Sequence, residues 1–593
     1  MNVNRIVTMR RLAAVFALAA MAWCSAAWAQ VLDMVPADAA IVIKISNLQG
    51  TNTKIAKLAK DFGLDQIQPL FQDPLGALME QAKVSKGVNK SGDLAIAILD
   101  PDANPPKFLA MVPVDDYKAF VSNFEAVGAE TAGVSEVKTP DGPSLFLIHR
   151  GNYAVGSHDK ETLSRQSGSL KFGPAISKDV SGKDAIVFIN VPQVRTKALD
   201  AMHKNRQQAV DEALKNIGDD PNSKPFAGVA KVVMNQIFDL MERFLSDSTG
   251  VVFSVNFNDK GIALGGVSEF AADSKLGTTI AQFKNTGKPL IAGLPDRKYF
   301  AFGGMAVDPK AFGKVVSDCI DPINAELAKS GDTGKQIATL LESAKTLAGS
   351  ISRVSAGYPM PTGALGTESI IQSVAVVEGN AKAAHDAEIK MLKGMGDLFA
   401  LLPKEAGSIK FDLTPAAKTV DGVSLDTYMM NITTDPKDPQ AAQMKSMMDM
   451  IYGPNGMGGT MGVVNDKTLV LVQGGSDKLV SDAVASAKSN ADVLSSNSGV
   501  KMISGQLPKD RSLEYYVSLD NIVSAAAKYA AQFGVLPGNV KVPTDLPPLG
   551  FAAGTDGPAV RGEMFIPSQT VSSLISAGLQ AYQQMQGGGN GKL

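Results

Sequence analysis

The sequence predicts an α+β protein built from two related modules, each a largely antiparallel sheet with helices packed mainly on one face. Three observations predict it. A unit recurs in which a β-branched or aromatic run ends in a polar or proline cap and becomes an amphipathic helix. Between these units lie alternating runs joined by Gly, Asn, Asp or Lys turn residues, which mark antiparallel hairpins. Finally, 593 residues of which 45% are hydrophobic supply enough apolar surface for two or more cores.

At the N-terminus, Arg5, Arg10 and Arg11 precede an apolar run from Leu12 to Trp23, and Ala27-Trp28-Ala29 stands before Gln30. This is the basic, apolar and small-residue order of a secretory signal. The apolar run is shorter than the roughly 20 residues that a spanning helix needs, so residues 1–29 are expected to be removed on export. Cys24 and the pair Arg10-Arg11 raise lipid attachment and twin-arginine export as alternatives. Bulky Trp23 before the cysteine and Leu12-Ala13-Ala14 after the arginines fit both poorly. The expected location is the periplasm or the cell exterior, with no transmembrane anchor after signal removal.

Loss of that segment moves the formal charge from −2 to −5 and leaves one cysteine, Cys319. A single thiol cannot staple an exported chain, so stability must come from apolar burial. No concentrated Lys/Arg stripe is present, which argues against nucleic acid as a partner.

Six copies of the strand-then-helix unit begin at Ile41, Phe108, Ala185, Tyr299, Ile370 and Glu514. Hairpins are expected at Leu145–Gly156 with a turn at Gly151-Asn152, at Val251–Phe270 around Asp259-Lys260-Gly261, at Met461–Gly474 around Asn465-Asp466-Lys467, and at Phe551–Ile566 around Thr555-Asp556-Gly557. The copies fall three to each half, with start-to-start offsets of 258, 262 and 329. The jump places extra residues in the second half. The expected division is a first module over 30–290, a second over 291–586 with a Met-rich insertion at about 402–459, and a flexible tail over 587–593. Pro289, Gly293 and Pro295 mark the junction. A helical hairpin over Val194–Leu245, interrupted at Gly218-Asp219-Asp220-Pro221, is expected in the first half alone.

Acidic caps recur at Asp115-Asp116, Asp308-Pro309 and Asp520-Asn521. Paired carboxylates can serve acid–base chemistry, but an Asp ahead of a helix, with Pro just inside it, is more simply a backbone cap. The four histidines, His149, His158, His203 and His385, lack the i, i+4 spacing of a helical zinc pair. A two-residue turn would set His149 opposite Ala154 and leave His158 out of register. Cys319 follows a helical pattern among Phe312, Val315 and Val316 and is expected to pack. Ser157-His158-Asp159-Lys160 spells Ser-x-x-Lys without a later Lys-Thr-Gly, so Ser157 reads as a helix cap, as does Ser476. The glycine-rich stretch from Gly453 lacks the lysine of a phosphate loop.

Methionine is the most distinctive local chemistry. Met444, Met447 and Met448 have i, i+3, i+4 spacing, with Met450, Met457 and Met461 beyond them. Thioethers can hold Cu(I) in an oxidising setting, yet this spacing also suits packing or an adaptable surface for an apolar ligand or protein partner. The latter reading makes Met444, Met447 and Met448 the candidate surface, with no cofactor expected.

The segment Met34-Val35-Pro36-Ala37-Asp38-Ala39-Ala40-Ile41-Val42, the helix start Pro309-x-x-Phe312 and the terminal Met564-Phe565-Ile566-Pro567 together resemble a bacterial domain-of-unknown-function family of secreted proteins that open with a Pro-Ala-Asp-Ala motif. The resemblance implies an exported α+β protein and brings no catalytic residues with it. The functional expectation is therefore an exported, non-catalytic binding or structural protein. A carrier of lipid or another apolar ligand, and a hydrolase whose carboxylates converge only on folding, are the alternatives.

Overall fold

The computed structural model describes residues 28–66, 68–139, 144–164, 168–218, 227–287, 289–363, 368–399, 408–433, 451–452, 457–532 and 542–587. The chain forms two compact units. The first gathers Met1–Asp200, Arg243–Thr278 and Asp556–Ile575, and the second Ala201–Glu242, Thr279–Thr555 and Ser576–Leu593. No helix among the described residues is long and apolar enough to cross a membrane.

The strands in chain order are β1 (Ile41–Ile45), β2 (Leu94–Asp100), β3 (Lys107–Pro113), β4 (Glu125–Ala126), β5 (Val134–Lys138), β6 (Ser144–Arg150), β7 (Tyr153–Ser157), β8 (Ala185–Ile189), β9 (Ser248–Asn258) and β10 (Gly261–Phe270). They continue with β11 (Tyr299–Ala306), β12 (Ile351–Pro359), β13 (Ser373–Gly379), β14 (Ser408–Val420), β15 (Val423–Thr433), β16 (Met457–Asn465), β17 (Thr468–Gln473), β18 (Leu513–Val517), β19 (Leu549–Asp556) and β20 (Ala559–Pro567). In the first unit the order across the sheet is β4-β5-β6-β7-β3-β2-β1-β8-β9-β10-β20, antiparallel throughout. In the second it is β14-β15-β16-β17-β13-β12-β11-β18-β19, again antiparallel. Raising each number from β1 to β9 by ten converts the first order into the second.

All six strand-then-helix units form. Their helices are Leu48–Asp61, Tyr117–Val121, Val191–Gly218, Pro309–Leu327, Ala381–Phe399 and Leu519–Gln532. The hairpin β6–β7 turns at Gly151-Asn152, where Gly151 has φ 57°, and its register sets His149 opposite Ala154. The hairpin β9–β10 turns at Asp259-Lys260 and β16–β17 at Asp466-Lys467, while β19 and β20 flank Gly557-Pro558. After β8 come two long helices, Val191–Gly218 and Ala227–Asp247, whereas one described helix follows β18.

The stretch over 402–459 contains a hairpin that its proline content obscures. β14 and β15 turn at Asp421-Gly422, with φ 48° and 77°, the left-handed pair that a tight hairpin requires. A register shift between Thr414 and Lys418, with Ala416 at φ 49°, accommodates Pro415.

Alternation along the first unit's strands builds two apolar layers. Val42, Ala95, Ala97, Leu109, Met111, Phe188 and Val252 lie under the helices Trp28–Asp33 and Pro174–Val180. On the opposite face Ile43, Ile45, Leu94 and Ile96 lie under Leu48–Asp61 and Pro74–Gln81 through Leu48 and Leu75.

Candidate functional site

Many of the ionised groups that the fold buries are used within it. Lys44 and Asp93 form a buried pair at 3.2 Å, and the Asn47 N–H donates to the other carboxylate oxygen at 2.7 Å. Asp179 accepts from Arg561 at 2.7 Å and from the Ser254 hydroxyl at 2.9 Å. Asp184 accepts from Lys54 and from the Phe257 N–H. In the second unit Arg353 donates to Glu378, Asn490 and the carbonyls of Pro289 and Ala292, and Glu514 pairs with Arg511 while accepting from Tyr516 and the Leu290 N–H. A buried charge is costly without such partners. These clusters hold the backbone.

The acidic caps divide. Asp116 accepts from the Ala119 N–H at 3.0 Å, and Asp308 from Lys310 and Ala311 with Pro309 at the first helical position. Asp520 is not a cap: it lies within the first turn of its helix, buried, and accepts from the Leu546 N–H at 3.1 Å. Ser157 is likewise displaced from the role its sequence suggests. It ends β7, fully buried, and the helix Lys160–Ser164 is capped by Asp159, which accepts from the Glu161 N–H and the Thr162 hydroxyl. Ser476 does precede its helix, without a side-chain cap bond.

The histidines stay apart. His149 stacks on Tyr117 with ring centroids 4.7 Å apart, His158 tilts against Phe108 at 5.2 Å, and His203 lies 3.5 Å from Glu242. Burial pushes the His158 imidazole below its ordinary range. His385 meets Asp426 at 3.0 Å, where Asp426 also accepts from the Ala416 N–H and so ties the helix Ala381–Phe399 to the β14–β15 hairpin. Among the described residues no three His, Cys, Asp or Glu side chains group as metal ligands. Cys319 is exposed rather than packed: it faces out from the helix Pro309–Leu327, and its carbonyl accepts from Gln236. Met444, Met447 and Met448 lie outside the described residues.

What the sequence did not single out is an uncovered apolar patch. The helices Leu48–Asp61 and Pro74–Gln81 cover their face of the first sheet over β1 and β2, with Ala185 of β8 packed at the margin. Beyond it, Val187 of β8 and Phe253 of β9 stand opposite one another in register, 37% and 56% exposed. Leu264 of β10 and Val560 of β20 are exposed on the same face, as the registers Val255↔Leu264 and Ser268↔Val560 require. Gly266 and Gly562 continue the Phe253 row and leave it flat.

The second unit carries a counterpart at matching strand positions. Tyr515, third in β18 as Val187 is third in β8, stands opposite Phe551 of β19, and both are exposed. Gly303 of β11 lies under the Tyr515 ring, where a Cβ would stand 2.6 Å from a ring carbon. Single exposed apolar residues need no explanation, but registered rows of them do.

No protein-family model matches the chain, and no curated protein does. Among solved structures the chain is similar to TP0453. Crystal form I of that protein is 8% identical, with a TM-score of 0.20, over 40% of this chain and 79% of that one. Crystal form III is 9% identical, with a TM-score of 0.17, over 49% of this chain and 98% of that one.

Proposed function

We propose that this chain is an exported, non-catalytic binding protein made of two copies of one module, each using an uncovered apolar row on its sheet to engage an apolar ligand or partner. The observation that carries the reading is the Val187–Phe253 pair, whose strand places in the second unit are held by Tyr515 and Phe551. Burying such side chains is worth roughly 25 cal/mol per Å² of apolar area, so leaving them to water on paired strands has a use where something else covers them. The order of strands, which repeats with an increment of ten, supports descent from one ancestral module. The basic and apolar N-terminus supports export.

Carriage of a lipid or similar apolar molecule is favoured over a purely structural role because the rows are flat and glycine-flanked, open to an extended hydrocarbon. Native mass spectrometry of gently purified protein tests it. The expected spectrum shows an apolar species of constant mass retained on the chain; a spectrum with none, together with failure to bind an added apolar fluorophore, rejects the reading.

A further inference from the structure

Glu269, next to last in β10, lies on the layer opposite the apolar row, 5% exposed. One of its carboxylate oxygens accepts from the Ile176 N–H at 3.0 Å. Among the described residues no Lys, Arg or His nitrogen lies within ion-pair distance of it, unlike Asp93, Asp179, Asp184 and Glu514. Glu269 lines a cleft of about 570 Å³ within the first unit. That volume falls in the range of small-molecule sites. Phe172, Phe188, Phe270, Pro174 and Pro558 supply apolar walls, and Phe172 meets Phe188 edge to face at 4.9 Å. The other charges on the cleft are Lys171, which is exposed, and Asp556, which is held by Lys178 at 2.7 Å.

We propose that this cleft binds a small organic ammonium carried on a hydrocarbon body, its cationic head on Glu269 and its apolar body among Phe172, Phe188 and Phe270. A buried carboxylate that lacks a cation gains most from a ligand that brings one, and aromatic faces add attraction for the same charge. Gly173 makes room for the carboxylate, since a Cβ there would stand 2.3 Å from it. The exposed charge of Lys171 selects against a ligand with a second cationic end. This site is independent of the apolar rows and stands or falls separately from them.

Calorimetric titration of the full chain with hexylammonium, 1-hexanol and hexanoate, using wild type and Glu269→Gln, provides the test. Glutamine keeps an oxygen to accept from Ile176, so a purely helix-capping role predicts no change. The expected result is hexylammonium binding to wild type at least about tenfold more tightly than either isostere, as loss of one charge-assisted contact implies, with that preference abolished in Glu269→Gln at an unchanged melting temperature. Equal affinity for hexylammonium and hexanol on wild type, no binding of hexylammonium, or an unaltered preference in the variant would each overturn the proposal. The isostere comparison on wild type decides even where the variant folds poorly.

Discussion

At the scale of single residues, the fold depends on buried charges held in pairs and small clusters, such as Lys44 with Asp93 and Arg353 with Glu378. Lys44 and Asp93 sit side by side inside the first unit, so Asp93→Ala is expected to cost about 3–5 kcal/mol by removing the carboxylate that pairs with the buried lysine. A Lys44→Met, Asp93→Leu double variant should lose far less, and chemical denaturation of the two reads the difference. Burial pushes the Tyr153 phenol up from 10.0 to about 12. The folded state therefore favours the neutral phenol, and that contribution is complete below pH 10.0 and lost as pH climbs toward about 12. Alkaline denaturation with tyrosinate absorbance should show this loss, and Tyr153→Phe should reduce it. Sequence made legible those residues whose partners are close in the chain: Asp116 and Asp308 cap helices that begin beside them. It misled at Asp520, whose partner Leu546 is 26 residues on, and passed over Glu269, whose partner Ile176 is 93 residues away.

At the scale of elements, local rules carried most of the reading. A run of β-branched residues, a cap and an apolar stripe specify each of the six strand-then-helix units, and two-residue turns set three hairpin registers. Asp308→Ala should accordingly lower stability by about 1 kcal/mol, measured as a shift in the denaturation midpoint at unchanged slope. The β14–β15 hairpin was hidden because Pro415 reads as a strand breaker, although Asp421-Gly422 is a strong turn signal and a bulge absorbs the proline. Cys319 shows the opposite limit: helical periodicity placed it on a helix, but which side meets a neighbour depends on elements distant in sequence.

At the scale of the whole molecule, strand order and surface exposure arise from pairings that no local pattern encodes. The recurring units suggested two modules, but the order β7-β3-β2-β1-β8-β9 and its counterpart β17-β13-β12-β11-β18-β19 depend on the non-consecutive pairings β3–β7 and β1–β8, and β13–β17 and β11–β18. The apolar rows were invisible for the same reason, since Phe253 alternates along β9 like any core residue and only the reach of the covering helices leaves it in water. Replacing it should therefore change binding while leaving stability within roughly 0.5 kcal/mol, as for other exposed sites. The most direct test titrates an apolar fluorophore onto wild type, Phe253→Asp, Phe551→Asp and the double variant. Two matched binding rows predict that each single change removes about half of the bound probe and that both together abolish binding, with all four proteins melting alike. Undiminished binding by the double variant would contradict the account.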